Sequence, residues 1–369
     1  MTLPKKSLRE ILPELDGLMI LAMVLLFLLG LVSIYSASQG ATRMGQYYAL
    51  RQTIWGGLSL AAFLVTVRIG YEEIYRWSHF VYGAVALLLL TVLLVGYSAK
   101  GAQSWINLGF FRLQPAELGK IALAVVLSRV AVVHGPHDLR GLTICLAVTA
   151  GIALPVMLQP DLGTVIVYAV MTFAALHVAR APRKYLFSLV GLALISLPLG
   201  WTFMKEYQRQ RLLVFLDPYV DPLGAGYNVI QSRIAVGSGG IWGKGFLEGT
   251  QSRLHFLPES HTDFVFSVFA EEFGFAGTVV VLFLYSLLIW RILSTALATK
   301  DIRAKVMVSM VACWVWFQLF EVMAMSVGLA PVTGIPMPLF SYGGSALLSV
   351  SVGLALVQSV HVASRKSYV

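Results

Sequence analysis

Asp263 is the residue best placed to do chemistry. It lies in Pro258-Glu259-Ser260-His261-Thr262-Asp263-Phe264, where a long polar stretch runs into an apolar one. A carboxylate at a lipid–water boundary is half desolvated, and such a group can act as a general base. His261 is a second candidate base, further out. The plainer reading makes Thr262 the cap of a helix that follows, with Asp263 in its first turn. Glu117 and Lys120 come next, after Gln114-Pro115-Ala116. Their i,i+3 spacing puts them on one helix face, where they can pair. Helix-start chemistry accounts for Pro115 and Glu117 but not for Lys120, which the positive end of the dipole disfavours. Asp161 follows Gln159-Pro160 at another helix start, where capping is its ordinary role. Glu271 and Glu272 lie eight and nine residues after Asp263. A continuous helix places them about 12–14 Å away, although Gly274 and Gly277 could break it. Their bland role is pairing with a basic residue of another apolar segment. Glu321 sits in the middle of an apolar run, and the sequence assigns it no partner.

These residues are held by segments made for lipid. Of 369 residues, 58% are hydrophobic and only 12% charged. Soluble chains carry about 45–50% and about 25%, so this chain has more apolar surface than a globular core can hide. Stretches near 18–38, 53–67, 79–97, 116–133, 142–158, 164–178, 185–203, 275–297, 306–329 and 345–362 fit the roughly 20-residue requirement of a spanning helix. The second and sixth are short, and tilt or polar flanks would have to extend them. The expectation is an all-α polytopic membrane protein with about ten spans and no β-barrel alternation. The first span is too long for the apolar region of a signal peptide. Cys145 and Cys313 fall inside spans and read as apolar packing, not as a disulfide or metal framework.

With the N-terminus inside, inner segments hold sixteen Lys and Arg residues and the short outer loops five. The positive-inside rule then places both termini in the cytoplasm. The net charge of +9 reflects this bias, and no nucleic-acid motif accompanies it. The chain reads as a single membrane domain over 1–369. Its one long excursion, 204–262, is expected outside. That loop is rich in aromatic and branched residues, and 226–236 could form an amphipathic helix that Gly237-Ser238-Gly239-Gly240 breaks. Long loops of this kind are usually functional.

The run from Leu257 to Phe266, followed by Glu271-Glu272-Phe273-Gly274, resembles the signature of the SEDS family (shape, elongation, division and sporulation proteins). Four further runs match in order. They are Trp105-Ile106-Asn107-Leu108-Gly109 through Gln114-Pro115-Ala116-Glu117, Gln159 to Thr164, Gly237 to Gly245, and Pro331-Val332-Thr333-Gly334-Ile335-Pro336-Met337-Pro338-Leu339 through Ser341-Tyr342-Gly343-Gly344-Ser345. Together they run from Trp105 to Ser345. Gly249-Thr250-Gln251 and the short N-terminal tail are similar to the elongation members rather than the division members. One departure stands out: where the ninth span usually carries an Asn and a nearby Gly, this chain has Val322 and Ala324.

The resemblance implies a peptidoglycan glycosyltransferase of the bacterial cytoplasmic membrane. Its substrate would be lipid II, a disaccharide-pentapeptide on a polyprenyl diphosphate. Its partner would be a class B penicillin-binding protein, a transpeptidase of the elongation machinery. The essential aspartate of the family falls on Asp263. Joining a sugar 4-hydroxyl to an anomeric carbon that carries diphosphate needs a base. It does not need a strong acid, so one carboxylate suffices, unlike the pair in glycosidases. Glu117 and Lys120 would hold or orient the site. The diphosphate wants a cation, and Arg112, Lys120, Lys205, Arg209, Arg211, Arg233 and Lys244 are candidates. Asp161, His261 and Ser341 complete the expected binding set. Magnesium or manganese is a further source of charge, although no carboxylates show ligand spacing. The rival classes are a transporter, which would call for inverted repeats that are not evident here, and a scaffold that only activates the transpeptidase.

Overall fold

The computed structural model describes residues 8–38, 45–99, 102–107, 109, 111–254 and 256–366. The chain is a helical multi-pass membrane protein. Its principal helices are α1 (Gly17–Ala37), α2 (Gly45–Ile69), α3 (Ser78–Val95), α4 (Pro115–Val133), α5 (Leu139–Leu158), α6 (Leu162–Val178), α7 (Arg183–Phe203), α8 (Glu206–Leu216), α9 (Ala225–Ser238), α10 (Val265–Ala298), α11 (Ile302–Ser326) and α12 (Gly344–Lys366). Every expected span coincides with one of these helices. Seven are long and apolar enough to cross a membrane. The helices α3 and α6 are apolar but shorter, and α4 carries Glu117, Lys120 and Arg129. The second span is lengthened by its polar flank, because α2 starts at Gly45.

Two features depart from the sequence reading. The connection between α3 and α4 is a small antiparallel sheet of β1 (Tyr97–Ala99), β2 (Ala102–Asn107) and β3 (Arg112–Leu113), in that order. A short connection at a membrane edge must satisfy its own backbone groups, and pairing Ile106 with Leu113 and Asn107 with Arg112 does so. The long loop also carries α8 in addition to the expected helix, which appears as α9 and ends where Gly240 turns to φ +56°.

The helices α11 and α12 form the centre and are largely buried. Helix α11 packs on α6 and α10, α12 on α2, and α10 also on α1. Helix α7 packs chiefly on α6 and is the most peripheral, with most of its side chains exposed. Leu94, Ile195 and Leu297 lie on the outer surface, an arrangement suited to hydrocarbon and not to water.

Candidate active site

Asp263 stands just before α10. The N-cap position belongs to Phe264, whose side chain makes no capping bond. The expectation that Thr262 caps this helix is therefore corrected: the Thr262 hydroxyl donates to Glu259 Oε2 at 3.2 Å. The turn before α10 makes the difference. Phe264 N bonds back to Glu259 O at 3.3 Å, so residues 259–264 close on themselves and Asp263 falls outside the first helical turn. Ser260 donates to Ala37 O at 2.9 Å and ties this turn to the end of α1. His261 stacks on Tyr48, with ring centroids 4.3 Å apart.

The half-buried Asp263 faces the segment between α11 and α12. Gly334 there has φ +76°, a left-handed conformation that suits glycine. A Cβ on Gly334 would lie 3.9 Å from Asp263 Oδ2 and 4.0 Å from Arg211 Nη1. The carboxylate and the guanidinium thus flank one glycine. Arg211, on α8, also donates to Val332 O at 3.1 Å and lies over the Tyr207 ring. Burial pushes the Tyr207 phenol up from its ordinary pKa, so it stays a neutral donor to Pro160 O at 3.1 Å. Of the cations expected to meet a diphosphate, Arg211 is the one these contacts place beside Asp263.

Asp161 follows its capping reading. It accepts from Thr164 N at 3.0 Å and from Gln114 Nε2 at 3.1 Å. This joins the Gln114-Pro115 start of α4 to the start of α6. Ile335 and Thr333 pack on Gly163 in the next turn, so the starts of α4 and α6 form the far wall of the 331–339 segment. Ser341 is buried in a turn, where its hydroxyl accepts from Met337 N at 2.9 Å.

Glu117 and Lys120 form the expected pair at 2.7 Å, and they are enclosed, with 1% and 0% exposure. Lys120 also lies over the Trp314 ring at 5.3 Å. Backbone around the pair is fastened by Tyr168 to Ala116 O and by Ser349 to Glu117 O. The pair binds α4 to α11 inside the bundle.

Glu271 has a partner, but that partner comes from the loop and not from another span. Lys244 Nζ is 2.6 Å from Glu271 Oε1, which also accepts from Thr250 N at 2.8 Å and from Gln251 N at 3.2 Å. Glu272 accepts from Ser36 of α1. The expected break in α10 occurs at Gly274, with φ +64°. There Phe275 N and Ala276 N bond to Gly240 O and Ile241 O of the loop, each at 2.9 Å. The other basic candidates have local duties. Arg209 donates to Trp201 O and Thr202 O at the end of α7, and Arg233 to Gly328 O after α11. Arg112 is exposed on β3.

Sequence reasoning missed the part played by Thr333. Its hydroxyl donates to Glu321, and no spacing rule links two residues twelve apart across a helix end. Among the described residues, no group of three or more His, Cys, Asp or Glu could hold a metal. An apolar groove of about 660 Å³ runs between α9, α10 and α11, lined in part by Phe266, Phe275, Phe320 and Met323.

Known proteins share this chain's sequence and fold. The family described as "Cell cycle protein", which groups FtsW, RodA and SpoVE, matches residues 16–366. The peptidoglycan glycosyltransferase MrdB of Escherichia coli K12 is 39% identical over 352 residues, 94% of each chain. The probable peptidoglycan glycosyltransferase FtsW of Tolumonas auensis is 36% identical over 339 residues, 89% of this chain and 87% of that protein. A chain in a solved structure described as "Structural coordination of polymerization and crosslinking by a peptidoglycan synthase complex" superposes with a TM-score of 0.80 at 35% identity, covering 95% of this chain and 98% of that one. The rod shape determining protein RodA of Thermus thermophilus gives 0.70 at 30% identity, covering 94% and 96%. The chain therefore belongs to the FtsW/RodA/SpoVE family, the SEDS proteins whose motifs it carries, and the match runs from its first apolar helix to its last.

Proposed function

We propose that this protein is a peptidoglycan glycosyltransferase that polymerises lipid II at the outer face of the bacterial cytoplasmic membrane during cell elongation. The observation that carries this reading is Asp263 set against Arg211 across Gly334. In the reaction Asp263 takes the proton of the acceptor sugar 4-hydroxyl as its oxygen attacks the anomeric carbon of the donor. The bond from that carbon to the diphosphate breaks, and the polyprenyl diphosphate leaves with the electron pair. Arg211 meets the charge that grows on the diphosphate, in a setting where a fixed cation is worth more than in water. Diphosphate leaves readily without a proton, so one carboxylate serves. Magnesium or manganese would add to the Arg211 charge as a counterion of the diphosphate, since among the described residues no group of three or more His, Cys, Asp or Glu could hold a metal ion.

The location follows from the basic residues. Ten spans with both termini in the cytoplasm put Asp263, α8 and α9 outside, where lipid II presents its sugars. The partner we assign is a class B penicillin-binding protein, because its transpeptidase activity acts on the glycan made here. The structural relative from a peptidoglycan synthase complex supports that pairing.

The test is the purified protein with lipid II in liposomes, alone and with a chelator. Wild type is expected to yield glycan without a partner, and Asp263→Ala to lose at least about 100-fold in rate, as expected for removal of a general base. Glycan at the wild-type rate from Asp263→Ala removes the base assignment. Lipid II scrambling without glycan favours a transporter, and product only with the transpeptidase present favours an activator.

A further inference from the structure

Glu321 is an acid with no place in the chemistry above. It lies in the last two turns of α11, 5% exposed, in a run that is otherwise apolar. Burying a carboxyl there is costly unless it holds something. What it holds is Thr333, whose hydroxyl donates to Glu321 Oε1. Thr333 is the middle of three residues that are each fastened separately. Val332 O accepts from Arg211 Nη1 at 3.1 Å. Gly334 lies between Asp263 and Arg211. Thr333 itself packs on Gly163 at the start of α6, where a Cβ would approach its own Cβ to 3.1 Å. The strap 332–334 therefore crosses the site with α8 on one side and α6 on the other, and its attachment from below is Glu321. The neighbouring residue, Val322, is fully buried and offers no side-chain hydrogen bond.

We propose that Glu321 is a positioning residue for the glycosyl transfer: through Thr333 it fixes the strap that sets the separation of Asp263 and Arg211. The proposal rests on the reading of Asp263 as base and Arg211 as the diphosphate's cation. Glu321 is not among the groups that meet substrate; it interacts electrostatically with Asp263, and Glu321→Gln, which removes the charge and keeps the acceptor, separates that effect from the strap's. A strap released on one side lets the two groups drift, and displacements near 1 Å can cost on the order of 100-fold in rate.

The experiment uses the full chain in liposomes with lipid II and compares Glu321→Val, Glu321→Gln, Thr333→Val and the double variant Glu321→Val/Thr333→Val. Amide hydrogen exchange of peptides covering 331–336 is followed in parallel. Glu321→Val and Thr333→Val should each lower kcat at least about tenfold, by loss of alignment, while KM moves less than about twofold. The double variant should be no worse than Glu321→Val alone, because the bonds from the Thr333 hydroxyl and backbone to that carboxylate are already lost there. Glu321→Gln keeps an acceptor oxygen and should keep most of the rate. Exchange in the strap should rise in Glu321→Val and Thr333→Val, and equally when each is placed on Asp263→Ala, where turnover is already lost. That arm separates the two readings: turnover by Asp263→Ala sinks the base assignment, while unchanged exchange in both hook variants sinks the strap. A wild-type kcat in Glu321→Val, additive losses in the double variant, or a Glu321→Gln as impaired as Glu321→Val would each overturn the proposal.

Discussion

Lys120→Met is a sharp perturbation because it breaks a buried charge pair on one side only. In the wild type Lys120 Nζ lies 2.7 Å from Glu117 Oε1, and both side chains are sealed from solvent. Glu117 Oε2 has no partner among the described residues, so Lys120 is what compensates that carboxylate. Removing it leaves a buried, uncompensated acid, which costs about 3–5 kcal/mol. Loss of the contact over the Trp314 ring adds up to about 1 kcal/mol. With an unfolding entropy near 2 cal/mol/K per residue, the melting temperature should fall by about 4–8 °C. The double variant Glu117→Gln/Lys120→Met has no bare charge and should recover most of that loss. The assay is thermal unfolding in detergent, followed by intrinsic tryptophan fluorescence, with lipid II turnover measured well below the melting point. A stable double variant with wild-type turnover makes the pair a brace for α4 and α11 and nothing more. A stable double variant with depressed kcat gives the pair the orienting role read from its sequence. If Lys120→Met melts within a degree of the wild type, the reasoning from buried charge is refuted.

Two further substitutions test the frame around the site. Gly274→Ala forces a side chain onto φ +64° and puts its Cβ 2.3 Å from Gly243 N, so it should cost at least about 1–3 kcal/mol and lower the melting temperature. A stability equal to wild type would mean that α10 straightens without loss. Arg211→Lys keeps the charge but loses the planar fork that reaches Val332 O and Asp263's side of the strap together. It should lower kcat/KM at least about tenfold, through loss of alignment, in the same polymerisation assay, and full activity would remove Arg211 from the site.

The spans were legible because lipid imposes one rule on every helix: a long apolar run with backbone bonds kept inside. That rule located α1 to α7 and α10 to α12 from composition alone. It does not govern the ends. The β1–β3 sheet and α8 form where the chain is wet and short-range signals compete. Spacing did find Glu117 with Lys120, because both sit on one helix and the i,i+3 relation is fixed by its geometry. Spacing could not find Glu271 with Lys244 or Glu321 with Thr333, because those pairs join a helix to a loop whose path depends on tertiary packing. The basic residues illustrate the same limit. Arg209, Arg211, Arg233 and Lys244 look equivalent in sequence, all on one long loop, yet the structure gives three of them local duties: a helix end, a loop carbonyl and a buried acid. Only Arg211 reaches the strap beside Asp263.

Asp161, read as a cap in the sequence, and Asp263, read as a first-turn acid behind a Thr262 cap, end in opposite situations. A carboxylate that caps a helix spends its oxygens on backbone N–H groups. Asp161 is in that state: it accepts from Thr164 N and Thr164 Oγ1 and is further engaged by Gln114. The turn closed by Phe264 N on Glu259 O moves Asp263 one step out of the equivalent position at α10 and leaves Phe264 in the cap. The apolar cap gives up a bond worth about 1 kcal/mol to that helix. In exchange the carboxylate is turned toward Gly334 and Arg211 instead of being absorbed into the helix terminus. One residue of backbone thus separates an acid that holds a helix start from one that faces the strap and Arg211, and the second is the one proposed as base.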